Sequence, residues 1–288
     1  MKDIKDIKDK FLKNFLKEKS TSDNLHSDSQ IIKIDYKLKR QLNKANNTKR
    51  KSDEHANKIN EVGNIIDIKN LNKYYISGGN TTRVLTDLTL SIKTGDFVIL
   101  YGKSGSGKTT LLNLMSGLDR PTSGDLIVSN QNLPYLSNMQ LTTFRRNKLA
   151  FIFQSYNLLN NLSGFDNVET GLYLQKDKSK QQDIKKMFED FDLIDVIDKY
   201  PSQMSGGQQQ RISILRALAK NSEIIFADEP TGALDKKTGT IVMELLRKIN
   251  MELGKTIIMV SHDPELIKYS TRVIKLSNSK IVQDETNK

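Results

Sequence analysis

Residues 102–109 read Gly-Lys-Ser-Gly-Ser-Gly-Lys-Thr, between an apolar run at 97–101 and a helical stretch at 110–116. Glycines at this spacing let backbone N–H groups wrap the phosphates of a nucleotide, while the lysine reaches the β- and γ-phosphate oxygens and the threonine ligates Mg²⁺. A strand before the loop and a helix after it place the positive end of the helix at the phosphates. The segment predicts a nucleoside triphosphatase. Its predicted binding residues are Gly102, Ser104, Gly105, Ser106, Gly107, Lys108, Thr109 and Thr110.

A second apolar run ends in two adjacent carboxylates. Residues 224–227 read Ile-Ile-Phe-Ala and are followed by Asp228 and Glu229. Because successive side chains of a strand point to opposite faces, Asp228 can hold a Mg²⁺ ion while Glu229, at the mouth of the strand, polarises an attacking water. The alternative is a pair of acids that only caps a strand at the surface. The apolar run before the acids favours the first interpretation.

Residues 204–210 read Met-Ser-Gly-Gly-Gln-Gln-Gln, about a hundred residues after the phosphate loop. The serine could simply cap the following helix at 208–220. Together with the phosphate loop, the segment resembles the signature of the ATP-binding cassette (ABC) ATPases, and the resemblance covers roughly residues 64–284. In that family the signature caps the γ-phosphate of ATP held by a second copy of the protein. The resemblance implies a homodimer of cassettes. The ATP contacts that it implies are Ser205, Gly206, Gly207 and Gln208.

Three more motifs resemble those of the ABC ATPases. Gln154, after an apolar run, matches the glutamine that touches Mg²⁺ and the attacking water and that hinges the helical subdomain. Asp235, in Gly-Ala-Leu-Asp, matches the residue that crosses the dimer interface, and His262, in Ser-His-Asp, matches the histidine that contacts the γ-phosphate. The implied catalytic residues are Glu229, His262 and Gln154, and the implied metal ligands are Thr109, Gln154 and Asp228.

An aromatic residue upstream of the phosphate loop matches the position that stacks on adenine in this family. Residues 71–75 read Leu-Asn-Lys-Tyr-Tyr, and the spacing favours Tyr75 over its neighbour Tyr74. Adjacent strand residues face opposite ways, so the two tyrosines are rivals for the role. Stacking on an aromatic ring adds affinity with little selectivity for the base.

The order of strands and helices predicts an α/β fold. Early strands are expected at 65–69, 73–77, 84–92 and 97–101. Later strands, ending near residues 153, 228, 261 and 276, alternate with helical stretches, which is typical of a mostly parallel sheet flanked by helices. The expected architecture is a phosphate-loop ABC cassette over residues 63–288. It combines a mostly parallel core sheet, an N-terminal antiparallel β-subdomain and an inserted helical subdomain at about 155–220.

Residues 1–62 differ in composition from the rest of the chain. They hold 16 basic and 10 acidic residues, with no glycine or proline, and carry about half of the net charge of +11. Apolar residues between Ile4 and Leu16 recur at helical spacing, with lysines on the other face. The segment is either a basic amphipathic helix that lies on an anionic membrane or a weakly helical, largely disordered extension. We expect disorder at 21–30 and 45–57, and intact ATPase activity after removal of residues 1–60.

Composition narrows the kinds of site and the cellular location that the chain can have. The chain has no cysteine, which excludes disulfides and thiolate metal sites. No run approaches the 18 or more apolar residues of a membrane-spanning helix, and the first residues lack the apolar core of a signal peptide. We therefore expect a peripheral protein at the cytoplasmic face of the cell membrane, with a membrane-spanning partner on another chain. A basic chain can bind nucleic acid, but no interleaved aromatic pattern supports that role.

The finer resemblance is to the ABC ATPases of macrolide exporters, lipoprotein-release systems and cell-division permeases. Residues 112–124, 151–159 and 227–235 carry it. In that branch, ATP-driven dimer closure moves a separate permease that commonly has few membrane helices and a large extracytoplasmic domain. One alternative is a non-transport ABC ATPase, which usually carries two cassettes or a long coiled-coil insertion. Another is a regulatory ATPase of the cell-division type. A module that holds ATP without hydrolysing it would be expected to lack Glu229 or His262, and both are present.

Overall fold

The computed structural model describes residues 30–32, 34–77, 80–175 and 181–287. The strands are β1 (Gln30–Ile32), β2 (Asn64–Ser77), β3 (Asn80–Lys93), β4 (Phe97–Tyr101), β5 (Ser123–Val128), β6 (Gln131–Asn132), β7 (Leu149–Phe153), β8 (Ile224–Asp228), β9 (Thr256–Ser261), β10 (Arg272–Ser277) and β11 (Lys280–Thr286). The helices are α1 (Tyr36–Asn47), α2 (Lys108–Met115), α3 (Asn138–Lys148), α4 (Gly164–Leu172), α5 (Ile184–Asp190), α6 (Gly206–Ala219) and α7 (Lys236–Leu253). Short 3₁₀ turns lie at Leu133–Tyr135, Ile194–Val196, Pro201–Gln203 and Pro264–Tyr269.

The core sheet has the strand order β11-β10-β4-β9-β8-β7 and is parallel except for its edge strand β11. Alternate residues of its strands enter two different hydrophobic clusters: Phe97 and Ile99 of β4 join one, and Val98 and Leu100 join the other. The sheet is therefore buried on both faces, as a parallel sheet requires. The prediction of a mostly parallel core is confirmed.

The register of the core sheet brings the carboxyl ends of four strands together. Tyr101 at the end of β4 is paired with Ser261 of β9, and Asp228 at the end of β8 is paired with Val260 of β9. Phe153, the last residue of β7, is paired with Asp228. The loops that leave β4, β7, β8 and β9 consequently start side by side, and in open α/β sheets ligands bind at this edge.

The second sheet is antiparallel, with the order β1-β3-β2-β5-β6. The structure differs here from the two separate strands expected at 65–69 and 73–77, because β2 runs unbroken from residue 64 to 77. Shifts of register between Ile68 and Lys73 mark β-bulges, and Asn70 has a φ of 50°. Bulges let one strand bend without ending. They explain why the sequence pattern is interrupted between residues 69 and 73 although the strand continues.

The N-terminal segment also differs from the expected disorder in the part that the structure describes. Strand β1 pairs with β3, and Leu42 of α1 and Ile32 are buried in a small cluster with Tyr74. Further along, the Arg50 N–H donates to the Pro134 oxygen at 2.9 Å. The contact with Tyr74, distant in sequence, adds to the local N-cap of α1, where the Asp35 side chain accepts from the Leu38 N–H. The predicted amphipathic segment at 4–16 lies outside the described residues.

Arg50, His55 and Lys58 all approach one carboxylate, that of Asp125 on β5. The shortest distances to it are 3.9 Å from Arg50, 3.2 Å from His55 and 2.9 Å from Lys58. Within the stretch expected to be disordered at 45–57, Arg50 and His55 thus contact Asp125 of the antiparallel sheet, and the Asn132 side chain of β6 donates to the His55 oxygen. Among the described residues, no helix combines the length and the hydrophobicity needed to cross a membrane.

Candidate functional site

The phosphate loop lies between β4 and α2, at the carboxyl edge of the core sheet. Gly107, the N-cap of α2, has a φ of 98°, and a Cβ at this position would lie 2.9 Å from the Leu85 side chain. Only glycine fits both the backbone and the space. Gly105 has a φ of 81° and faces open space. The loop is therefore packed closely where it meets β3 and open at its crown, where backbone N–H groups can reach a ligand.

Lys108 and Ser106 are polar residues of the loop that are buried beside α2. The Lys108 ammonium donates to the main-chain oxygens of Gly102 and Lys103, at 2.8 Å each. The Ser106 hydroxyl is buried and has no hydrogen-bond partner among the described residues. A fixed ammonium and the positive end of α2 at the same place favour an anion. The loop is thus a built cradle for phosphate oxygens.

The two acids at the end of β8 have different environments. Burial, followed by the charge of Glu229, raises the pKa of Asp228, and a hydrogen bond with Thr109 opposes the rise. Glu229 has a φ of 46°, a strained value for a residue with a side chain, and its N–H donates to the Val260 oxygen at 3.2 Å. Asp228 therefore faces the phosphate loop while Glu229 is turned towards the neighbouring strand.

Glu229 meets the histidine that follows β9. Nδ1 of His262 lies 3.1 Å from Oε1 of Glu229. The histidine side chain is 65% exposed and the glutamate side chain 29% exposed. A carboxylate open on one side and oriented by an imidazole on the other is suited to accept a proton from water.

Gln154 lies against the turn that follows the two acids. A Cβ on Gly232 would come within 2.8 Å of the Gln154 amide nitrogen, and the Gly232 N–H donates to the Glu229 oxygen at 3.0 Å. The structure thus places several predicted residues at one edge of the sheet. They are Gly102, Ser106, Lys108, Thr109, Gln154, Asp228, Glu229 and His262.

The two candidate tyrosines point in opposite directions, as strand alternation requires. Tyr74 is buried, while Tyr75 is 38% exposed. The Tyr75 hydroxyl donates to Oδ2 of Asp119 at 2.7 Å, and burial and this carboxylate raise the pKa of Tyr75. A hydrogen bond with Thr110 opposes the rise and ties the ring to α2. Tyr75, not Tyr74, thus lies next to the phosphate-loop helix.

The signature residues form a second group, at the start of α6. Ser205 caps this helix: its hydroxyl accepts from the Gln208 N–H at 3.3 Å, and the Gln208 side chain accepts from the Ser205 N–H at 2.9 Å. The predicted helix cap is therefore present. It does not exclude a role at a ligand, because Ser205 is exposed.

Asp235 lies close to the signature. Its carboxylate caps α7, accepting from the Thr238 N–H at 3.0 Å and from the Thr238 hydroxyl at 2.6 Å, and these bonds lower its pKa. A Cβ on Gly207 would collide with the Thr238 methyl. Gly207 therefore permits the close packing of α6 on the start of α7, and Gly206 lies next to Leu234.

Arg216 is a residue of this second group that sequence reasoning missed. Its guanidinium donates to the oxygens of Tyr156 and Asn157, at 3.0 and 2.6 Å. Both acceptor residues have positive φ angles, and a Cβ on Gly206 would lie 2.7 Å from the Tyr156 hydroxyl. Arg216 therefore fixes the loop after Gln154 to the signature helix. Nothing in the sequence distinguishes it from Arg211 on the same helix.

The glycine-lined loop at the end of a buried parallel strand, with the Asp228 and Glu229 pair beside it, defines a phosphate-loop nucleoside triphosphatase. The signature on α6 and the inserted helices narrow this class. A family model described as ABC transporter matches residues 85–232. The chain belongs to the ABC transporter family, as an ATP-binding cassette, and the predicted family, fold and ATPase class are confirmed.

Relatives and solved structures agree with this assignment. The chain is 45% identical over 221 residues to the ABC transporter ATP-binding protein MJ1508 of Methanocaldococcus jannaschii. The match covers 76% of this chain and 98% of MJ1508. It is 45% identical over 223 residues to the macrolide export ATP-binding/permease protein MacB of Aggregatibacter actinomycetemcomitans, with 77% of this chain and 34% of MacB covered. The match to a Mycoplasma pneumoniae homologue of MG065 is 43% identical and covers 77% of this chain and 48% of that protein. The chain thus spans half or less of the length of these two larger relatives.

The structural neighbours include the cassette MJ0796, solved as a dimer in a post-hydrolysis state with ADP and Pi. It matches with a TM-score of 0.68 and 39% identity, covering 77% of this chain and 98% of that one. Another dimeric structure of the same cassette matches equally well, at 40% identity.

Proposed function

We propose that this chain binds and hydrolyses ATP as a sandwiched dimer and that closure of the dimer drives a membrane permease. The observation that carries the proposal is the convergence of Lys108, Asp228, Glu229 and His262 at one edge of the core sheet. Asp228 lies near Thr109 and Lys108 of the phosphate cradle, and Glu229 and His262 lie in contact with each other.

In the proposed reaction, Glu229 accepts a proton from the water that attacks the γ-phosphate. His262 holds the carboxylate in place and contacts the γ-phosphate, and Lys108 and the N-terminus of α2 stabilise negative charge on the phosphates. Phosphoryl transfer asks for positioning and charge stabilisation more than for covalent chemistry by the protein. Tyr75 supplies the surface on which adenine stacks.

Mg²⁺ fits the residues beside the cradle. The Thr109 hydroxyl, the Asp228 carboxylate and the Gln154 amide oxygen are hard oxygen donors of the kind that Mg²⁺ prefers. Thr109 lies near enough to Asp228 to lower its pKa, so the two oxygens can face one ion. When bound, the ion neutralises charge that develops on the phosphates. We propose these three residues as its protein ligands, with Asp228 as the anionic one.

A second copy of the chain completes each site in this proposal. Ser205, Gly206, Gly207 and Gln208 of one copy contact the ATP bound by the other, and Asp235 crosses the interface. Support comes from the exposed Ser205 at the positive end of α6, where N–H groups favour an anion. The related cassette MJ0796 has been solved as a dimer with ADP and Pi bound, which supports the pairing of two cassettes.

The coupled partner is a permease on another polypeptide, which holds the cassettes at the cytoplasmic face of the membrane. MacB is named as an ATP-binding/permease protein, and this chain covers only 34% of it. MJ1508 is named as an ATP-binding protein, and this chain covers 98% of it. We favour an export or lipoprotein-release type of permease moved mechanically by dimer closure. The alternative is a non-transport or cell-division-type regulatory ATPase.

Affinity purification of a tagged Glu229→Gln chain tests the coupling. The variant is isolated with ATP from detergent-solubilised membranes of the native cell, and bound proteins are identified by mass spectrometry. The control carries Lys108→Ala as well, so that it cannot close on ATP. A permease enriched over the control supports the proposal, whereas only soluble partners would favour the non-transport alternative.

A further inference from the structure

Residues 30–32 and 34–47 pack on the strands around Tyr75. In the antiparallel sheet, Ile31 of β1 is paired with Thr82 of β3, and Thr82 is paired with Tyr75 of β2. Strand β1 thus adds an edge to the β2–β3 hairpin at the position of the proposed adenine-stacking residue. On the face opposite to Tyr75, α1 buries Leu42 against Tyr74.

The side chain of Asn46, near the end of α1, completes the edge of β2 at Tyr74. Pairing of β2 with β5 ends at Asn72, so the next peptide groups on this edge lack a partner strand. The Tyr74 N–H donates to the Thr122 hydroxyl at 3.1 Å, and the Asn46 amide donates to the Tyr74 oxygen at 2.7 Å. The Thr122 hydroxyl in turn donates to the Asn46 oxygen at 2.7 Å. Asn46 and Thr122 therefore act together as a substitute for the missing strand.

The other face of β2 fixes the Tyr75 ring itself. Lys73, which is buried, donates to Oδ1 of Asp119 at 2.8 Å, and its ammonium lies 4.7 Å from the Tyr75 ring centroid. The Tyr75 hydroxyl binds Oδ2 of the same carboxylate. This arrangement depends on the path of the β2 backbone between residues 73 and 75. That backbone is the part held by Asn46.

We propose that β1 and α1 form a strap that positions Tyr75 for adenine, and that Asn46 is its positioning residue. The proposal rests on the stacking role proposed for Tyr75. Loss of the Asn46 amide leaves the Tyr74 oxygen without its donor and frees the strand that orients the ring. Asn46 contacts β2 at Tyr74, whereas the phosphate loop packs on β3 at Val84 and Leu85. The strap therefore acts on the adenine end of the nucleotide rather than on the phosphate loop.

The test compares the affinity for ATP with the affinity for inorganic tripolyphosphate, which lacks the base. Titrations use the full chain in a Glu229→Gln background, so that ATP is not consumed. We expect Asn46→Ala to weaken ATP binding about 3- to 10-fold, on the scale of one net hydrogen bond, and to leave tripolyphosphate binding unchanged. Asn46→Asp, which keeps the acceptor for Thr122 but loses the donor to Tyr74, should behave alike. The matched control is Asn47→Ala, because the Asn47 amide binds only within α1, to the Asn43 oxygen.

A double-mutant cycle with Tyr75→Ala separates this inference from the proposed function. If the strap acts through Tyr75, Asn46→Ala has no further effect on ATP binding once Tyr75 is removed. If Tyr75→Ala weakens ATP binding but both Asn46 variants bind like the control, the strap is refuted while stacking stands. An equal loss of tripolyphosphate affinity, or additive losses in the cycle, would also refute it. If Tyr75→Ala itself leaves ATP binding unchanged, the stacking role fails first.

Discussion

Nδ1 of His262 and Oε1 of Glu229 lie 3.1 Å apart, although 32 residues separate the two in the chain. The contact follows from the fold: β8 and β9 are parallel neighbours, so the residues just past their carboxyl ends meet at the same edge. The positive φ of Glu229 turns its backbone out of β8 at this point. A residue kept in a strained conformation beside a histidine is a signature of a functional site rather than of packing alone.

Glu229→Gln should bind ATP normally and hydrolyse it about 10²- to 10⁴-fold more slowly, the range typical of a lost general base. Glutamine keeps the size of the side chain and can still bond His262, but it cannot accept the proton. Phosphate release and ATP titration measure the two properties separately. Undiminished turnover would remove Glu229 from the mechanism. Glu244→Gln, an exposed residue of α7, is the matched control.

Asp228→Asn should stabilise the nucleotide-free chain while it abolishes Mg²⁺-dependent turnover. The folded pKa of Asp228 is raised, chiefly by burial. Folding is therefore favoured most below the unfolded pKa, and this stability is lost as the pH rises through the folded pKa. At neutral pH the ionised carboxylate destabilises the fold, and asparagine removes that penalty.

Thermal unfolding without nucleotide checks the sign of the Asp228 effect. The melting temperature of Asp228→Asn should exceed that of the parent at pH 7, and the gap should shrink as the pH falls towards 4. A variant that melts below the parent at neutral pH would show that Asp228 is stabilised in its charged form by partners beyond Thr109 and Lys108.

Lys108→Ala should lose measurable ATP binding, because it removes the ammonium held over the loop by the Gly102 and Lys103 oxygens. The loss should appear equally with tripolyphosphate, since the contact is to phosphate and not to the base. Lys280→Ala removes an exposed lysine of β11 and serves as the control. ATP affinity within twofold of the parent would contradict the proposed cradle.

Removal of residues 1–60 should lower the melting temperature by several degrees, even if ATPase activity stays intact as the sequence predicts. It takes away β1, α1 and the three side chains of Arg50, His55 and Lys58 around Asp125. In a domain of this size ~1 kcal/mol of stability corresponds to a shift of about 2–4 °C. Differential scanning calorimetry of the truncated and full chains measures the change. An unchanged melting temperature would show that this packing adds nothing to stability.

Much of the site could be predicted because its motifs are local. The phosphate loop, the acids after a buried run and the capped helix at Ser205 each need only a few neighbouring residues to be recognised. The order of strands then brings them together by the register of a parallel sheet. The class of fold follows from the same alternation of strands and helices.

What the sequence did not predict depends on contacts between distant residues. Ile32 and Leu42 lie in a short, lysine-rich stretch with few apolar residues, and their burial needs Tyr74 on another strand. Strand β2 is continuous, but its bulges interrupt the sequence pattern, which therefore predicts two strands. Arg216 bonds to main-chain oxygens, and such acceptors leave no mark on the sequence.

Ser205→Arg places a bulky cation at the start of α6 and leaves the phosphate loop of the same chain untouched. In the dimer account it keeps ATP binding but prevents closure, and hydrolysis falls with it. The change lies at the exposed N-cap of α6, so the fold should persist.

Sedimentation velocity of the Glu229→Gln chain with and without Mg²⁺ and ATP tests the dimer most directly. The account predicts a monomer without nucleotide, a dimer with ATP, and a monomer in both conditions once Ser205→Arg is added. A Glu229→Gln chain that stays monomeric at saturating ATP, or a Ser205→Arg chain that dimerises and hydrolyses ATP like the parent, would contradict it.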